Sequence, residues 1–139
     1  MPQMKRGIVV VAEDEEPLRN SIAQFLENAG FSVVTAKNGK VALALIEREA
    51  RRYHVLIADL DMPEKSGDEL IRELDAGAAN FSAYILISGH TADYPPIIAL
   101  QGRALRRPLH FLHKPFHAGE LTALLEQVWS TQATEHVAQ

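Results

Sequence analysis

Cysteine is missing from the chain, which excludes a disulfide framework, a thiol nucleophile and any Cys-based zinc site. The absence fits a reducing cytoplasm. Long apolar runs are missing as well. The run that follows Lys5 and Arg6, Ile8 to Ala12, is too short for a signal-peptide core or a membrane span. A cytoplasmic location with no membrane partner is therefore expected. A basic excess is also lacking: 14 Lys and Arg stand against 18 Asp and Glu, a formal charge of −4. Proteins drawn to nucleic acid by phosphate contacts are usually basic, so no direct nucleic-acid partner is expected. No internal repeat, low-complexity tract or linker is present. What remains is a chain with 47% hydrophobic and 23% charged residues, the balance of a soluble globular protein. Its 139 residues suit one domain with a real core and no attached output module.

Apolar runs alternate with amphipathic stretches. Ile8 to Ala12 is continuous and β-branched, as expected of a strand buried on both faces. Leu18, Ile22, Phe25, Leu26 and Ala29 then recur at helical spacing, with Pro17 in the first turn and Gly30 at the end. Further strands are expected at Ser32 to Ala36, His54 to Ala58, Tyr84 to Ile87 and Leu109 to Leu112. Helices are expected around Val41 to Ile46, Leu70 to Leu74 and Leu121 to Val128, the last with apolar residues at i, i+3, i+4 and i+7. Repeated strand–helix alternation means an α/β fold, with a parallel sheet covered by helices on both faces. The expected divisions are an N-terminal extension over 1–6, the domain over 7–129, and a frayed polar tail over 130–139. A start at Met1, a few residues before the first strand, favours a native N-terminus.

Functional residues of open parallel sheets gather beyond the carboxyl ends of the strands. Here the first strand runs into Glu13-Asp14-Glu15, the third into Asp59, the fourth into Ser88-Gly89-His90 and the fifth into His113-Lys114-Pro115. Acids, a hydroxyl and a lysine from distant parts of the chain thus converge on one sheet edge. Three carboxylates held together repel one another unless positive charge is supplied. Lys114 supplies one charge and a divalent ion would supply more. Mg²⁺ suits such a site, because it prefers oxygen ligands and binds one or two carboxylates together with phosphate. The same groups would stabilise a phosphoryl group in transfer to a carboxylate.

This pattern resembles the receiver domains of two-component response regulators over residues 7–129. The resemblance rests on Glu13-Asp14 and on Asp59-Leu60-Asp61-Met62-Pro63, with Gly67 eight residues past Asp59. It rests equally on Ser88 and on Lys114-Pro115-Phe116. It implies a flavodoxin-like, doubly wound fold with five parallel strands in the order 2-1-3-4-5. Asp59 would be the phosphoacceptor. Glu13, Asp14 and Asp59, with the backbone carbonyl of Asp61, would hold Mg²⁺, or Mn²⁺ in its place, the Glu13 contact directly or through water. Lys114, Ser88, Gly89 and the backbone of Leu60 would contact the phosphoryl group. Ser88 and Phe111 would form a switch pair, and the peptide before Pro115 would be cis. Implied partners are a histidine kinase or histidine phosphotransfer protein, an output protein, and a second copy of the chain. Phosphorylation and its loss would be self-catalysed.

Glu13, Ser88 and Phe111 stand where the family more often has Asp, Thr and Tyr; charge and hydroxyl are retained and only a phenol is lost. A rival reading is a haloacid-dehalogenase-like phosphatase with Asp59 as nucleophile and Asp61 as general acid. Met62-Pro63, acids upstream instead of after Lys114, and the lack of a cap segment count against it. A receiver cut from a hybrid histidine kinase is a further alternative. His110, His113 and His117 straddle a strand, a Pro turn and a helix start, which argues against a metal site, and His90 would border the phosphoryl site. Tyr94-Pro95-Pro96 argues against regular helix at that point, so helix four should be short or irregular, confined to Ile97 to Gln101. Arg103, Arg106 and Arg107 are expected in a solvated loop, or as an altered docking surface.

Overall fold

Five β-branched or apolar runs form five parallel strands: β1 (Ile8–Ala12), β2 (Ser32–Ala36), β3 (Val55–Asp59), β4 (Ala83–Ser88) and β5 (Leu109–His113). The computed structural model describes residues 6–49 and 52–138, with side chains through Trp129. Strand order is β2-β1-β3-β4-β5, the order expected. The connecting helices are α1 (Glu16–Asn28), α2 (Gly39–Arg48), α3 (Gly67–Ala76), α4 (Pro95–Gln101) and α5 (Ala118–Ala138). Of the expected N-terminal extension only Arg6 is described. Where a frayed tail was expected from residue 130, the backbone of α5 stays helical through Ala138.

The period-2 alternation of side chains splits the core into two layers. Val10, Ala12, Leu56, Ala58, Tyr84 and Leu86 face α2, α3 and α4, where they meet Ala42, Ile46, Leu70, Leu74, Ile97 and Leu100. Val9, Val11, Val55, Ile57, Ile85 and Ile87 face α1 and α5, where they meet Ile22, Leu26, Leu121 and Leu125. β3 and β4 are buried along their whole length. Each fully buried aliphatic side chain stabilises the fold by roughly 1.5–3 kcal/mol, so these central strands are a firm base for groups at their ends.

Helix four is indeed short, but it begins at Pro95, not at Ile97. The first N–H groups of a helix have no intrahelical acceptor, so two prolines in the first turn forfeit nothing. Tyr94 ahead of them is extended, with φ −65° and ψ 125°, as a residue before proline should be. The segment that follows is not a freely solvated loop. Arg106 donates its backbone N–H to Asp75 Oδ2 at 2.8 Å and its guanidinium to the Asp75 carbonyl at 3.2 Å. Arg107 Nε donates to the Phe81 carbonyl at 2.5 Å. Buried Asp75 also accepts from Tyr84 Oη at 2.9 Å. Burial first, and then Asp75, push the Tyr84 phenol above its ordinary value, so it remains a donor. Of the three arginines, Arg106 and Arg107 serve the fold through these bonds, whereas Arg103 is exposed.

Candidate functional site

The loops at the carboxyl ends of β1, β3, β4 and β5 meet above the sheet because the strands are in parallel register. Val11 pairs with Ile57, Asp59 with Ile87, and Ser88 with His113. Asp59 closes β3 and is buried, at 4% exposure. Lys114, just beyond β5, donates its backbone N–H to the Ser88 carbonyl at 2.8 Å. Its ammonium lies 2.7 Å from Asp59 Oδ2 and 3.2 Å from Glu13 Oε1. The Lys114–Pro115 peptide is cis, as expected.

Glu13 is fully buried. Its Oε2 accepts the Glu15 backbone N–H at 3.0 Å, while Oε1 accepts no hydrogen bond among the described residues. Burial first, with Asp14 and Asp59 adding to it, pushes the Glu13 carboxyl up from 4.5 to about 7. Burial alone would lower the Lys114 ammonium, but Asp59 and Glu13 outweigh it and hold it above its ordinary value. Exposed Asp14 completes an oxygen cluster with Glu13 and Asp59, whose ligand atoms lie within 4.8 Å of one another. This all-oxygen set, with a buried carboxylate oxygen short of donors, fits a hard divalent cation.

The loop after β3 is shaped for close approach. A Cβ on Gly67 would collide with the Asp59 carbonyl, and one on Gly39 with the Lys65 carbonyl. Glu64 adopts φ 69° between them, an uncommon conformation for a non-glycine residue. Leu60 requires a correction. Its backbone N–H donates to the Ile87 carbonyl at 2.8 Å as part of the sheet, so it cannot also serve a phosphoryl group. The amide directed at Asp59 is the next one: Asp61 N–H donates to Asp59 Oδ1 at 3.2 Å.

Buried Ser88 lies on the same sheet face as Leu86 and Tyr84, and its Oγ accepts from the His90 N–H at 2.8 Å. Phe111 is half-buried and packs on that same layer. Gly89 is exposed, with open space where a Cβ would stand. His90 does border the site, its Nε2 2.8 Å from Asp61 Oδ2. Two participants carried no signal in the sequence. Arg19 reaches back from α1 to donate to the Glu13 carbonyl at 2.9 Å. Tyr94 stacks on the His90 ring. Their distance along the chain from the strand ends hid both.

A family model described as "Response regulator receiver domain" matches residues 9–126. The chain belongs to that family. This receiver domain is 35% identical over 130 residues to the transcriptional regulatory protein FixJ of Rhizobium meliloti, covering 93% of the chain and 57% of that relative. It is 27% identical to the sensor kinase CckA of Brucella abortus, covering 89% of the chain but 13% of the kinase. Among solved structures, chemotaxis protein CheY4 of Vibrio cholerae superposes with a TM-score of 0.75 at 27% identity, covering 91% of this chain and 99% of that one. The chain thus spans little more than half of FixJ and a small part of CckA. The family match sets the phosphatase reading aside, and the acidic cluster agrees: its members other than Asp59 come from β1's end, not from a segment after Lys114.

Proposed function

We propose that Asp59 accepts a phosphoryl group from the phosphohistidine of a histidine kinase or histidine phosphotransfer protein. An oxygen of the Asp59 carboxylate attacks phosphorus in line, the P–O bond forms as the P–N bond breaks, and the electron pair leaves with the imidazole. The single observation carrying this reading is the Lys114 ammonium 2.7 Å from Asp59 Oδ2, inside a cluster that also holds Glu13 and Asp14. Lys114, Ser88, the Asp61 N–H and the Gly89 backbone would meet the equatorial phosphoryl oxygens. Glu13, Asp14, Asp59 and the Asp61 carbonyl would hold Mg²⁺, or Mn²⁺ in its place. The ion, when bound, supplies charge neutralisation for phosphoryl transfer. Hydrolysis of the acyl phosphate regenerates Asp59, so phosphorylation and its loss need no further enzyme.

Ser88 would move to the new phosphoryl oxygen and Phe111 would turn into the space it leaves, a bistable element biased by one charged group. Both lie on the layer that carries α4, which supports a readout by a partner on that side, in the cytoplasm. A transcriptional regulator and a sensor kinase both occur among the relatives, and each is an assignment for the whole protein.

The test is incubation with Mg²⁺ and acetyl phosphate, read by intact mass, with Asp59→Asn as the control. The parent should gain one phosphoryl group and the variant none. A parent that stays unlabelled, or a variant labelled equally, overturns the reading.

A further inference from the structure

Glu13, Asp14 and Glu15 make up the whole connection between β1 and α1, and two carboxylates of the acidic cluster stand in it. Three hydrogen bonds set its course. The Glu13 N–H donates to the Ala36 carbonyl at 3.1 Å, and the Glu15 N–H donates to Glu13 Oε2 at 3.0 Å. The third comes from α1, where Arg19 Nη1 donates to the Glu13 carbonyl at 2.9 Å. Arg19 is half-buried at the end of the helix's first turn, its own N–H bonded to the Glu15 carbonyl at 2.8 Å. Helical side chains lean toward the N-terminus, which carries a long one from this position back over the connection.

We infer that Arg19 is a positioning residue for the cation site: its hold on the Glu13 carbonyl fixes the place of the Asp14 carboxylate beside Glu13 and Asp59. The inference rests on the reading above, in which these carboxylates hold Mg²⁺. The Glu13 carbonyl and the Asp14 N–H belong to one planar peptide, so the direction of the first sets the point from which Asp14 departs. Burial fixes Glu13 and Asp59, but Asp14 is exposed and depends more on its backbone. Charge works in the opposite direction. A guanidinium is always positive, and one beside the cluster opposes a cation there. That repulsion is screened at a half-exposed position, whereas partners that orient metal ligands typically contribute 10–100-fold to affinity. Positioning and repulsion thus predict opposite signs when the guanidinium is removed.

The experiment titrates the unphosphorylated full chain with MgCl₂ by calorimetry. Arg19→Met keeps an apolar stem but removes the charge and the donors, and should bind Mg²⁺ on the order of tenfold more weakly than the parent. Arg19→Lys, which keeps a charge and a donor, should recover most of the loss. Leu18→Ala trims the neighbouring residue that packs on the α1 side of the core. It loosens the same helix without touching the Glu13 carbonyl, and its Mg²⁺ affinity should stay with the parent. Acetyl phosphate labelling gives a second readout. For Arg19→Met the Mg²⁺ concentration at half the maximal rate should rise by the same factor, with the maximal rate near the parent's, because Asp59 and Lys114 are unchanged. Mg²⁺ binding by Arg19→Met as tight as the parent's, or tighter as charge alone dictates, overturns the inference. Equal weakening in Leu18→Ala does so too, and the phosphoacceptor reading survives both results. If Arg19→Met does not fold, Arg19→Ala is scored in its place. A parent that takes up no Mg²⁺ overturns the cation site and this inference with it.

Discussion

Lys114 stands between two buried carboxylates, Asp59 at 2.7 Å and Glu13 at 3.2 Å, and one ammonium cannot neutralise both together with Asp14. The imbalance appears in Glu13, whose carboxyl is pushed up to about 7. Its sign has a consequence for stability. The folded protein keeps the Glu13 proton where the unfolded chain has already released it. That contribution is full below about 4.5 and is lost as pH rises through about 7. In metal-free buffer, urea midpoints should fall over this interval, and Glu13→Gln should flatten the fall; an unchanged slope in the variant would remove Glu13 as the cause. Gly67 is a second single-residue constraint. Gly67→Ala places a methyl against the Asp59 carbonyl, and overpacking of this kind costs roughly 1–3 kcal/mol. Urea denaturation should show the loss, and acetyl phosphate labelling should slow because the displaced group is the phosphoacceptor itself.

Among the elements, α4 is the shortest helix, seven residues with two prolines in its first turn. So short a helix has little stability of its own and depends on what fastens its ends. Buried Asp75 fastens one of them, accepting from Tyr84 Oη and the Arg106 N–H at once. Asp75→Ala leaves both donors without that acceptor, and each unsatisfied buried group costs roughly 1–3 kcal/mol. The exposed Lys65–Glu73 pair is the comparison, because such pairs contribute about 0–1 kcal/mol. Asp75→Ala should therefore shift the urea midpoint well beyond Glu73→Ala, with faster amide exchange over 102–108. Equal shifts for the two variants would mean that Asp75 is not the fastening.

At the level of the whole molecule, the acidic cluster joins the ends of β1 and β3, with Lys114 from beyond β5 beside it, so a cation bound there stabilises the fold by linkage. A ligand at one hundred times its dissociation constant adds about 2.7 kcal/mol. Thermal melting should rise with Mg²⁺ and return on chelation, and the rise should shrink in Asp59→Asn. A melting temperature indifferent to Mg²⁺ in the parent would argue against a metal site.

The chain's own pattern reached far into this architecture. The β-branched runs, the amphipathic stretches and the acids, serine and lysine placed at the strand ends are local features. Parallel α/β geometry allows few ways to assemble them. Directions and distances between segments are not local. Whether the Leu60 or the Asp61 amide faces Asp59 depends on which strand takes the other, and β4 took Leu60. Whether Arg106 is solvated depends on where α3 ends, and Asp75 lies there to receive it. The two prolines of α4 looked like breakers because only the fold reveals that they occupy a first turn. Sequence alone determined which residue types stand at each strand end, since strand periodicity sets that. Only the tertiary structure decided that Arg19 and Tyr94 join them and that His90 meets Asp61, because hydrogen bonds and ring contacts depend on proximity in space, which strand periodicity does not set.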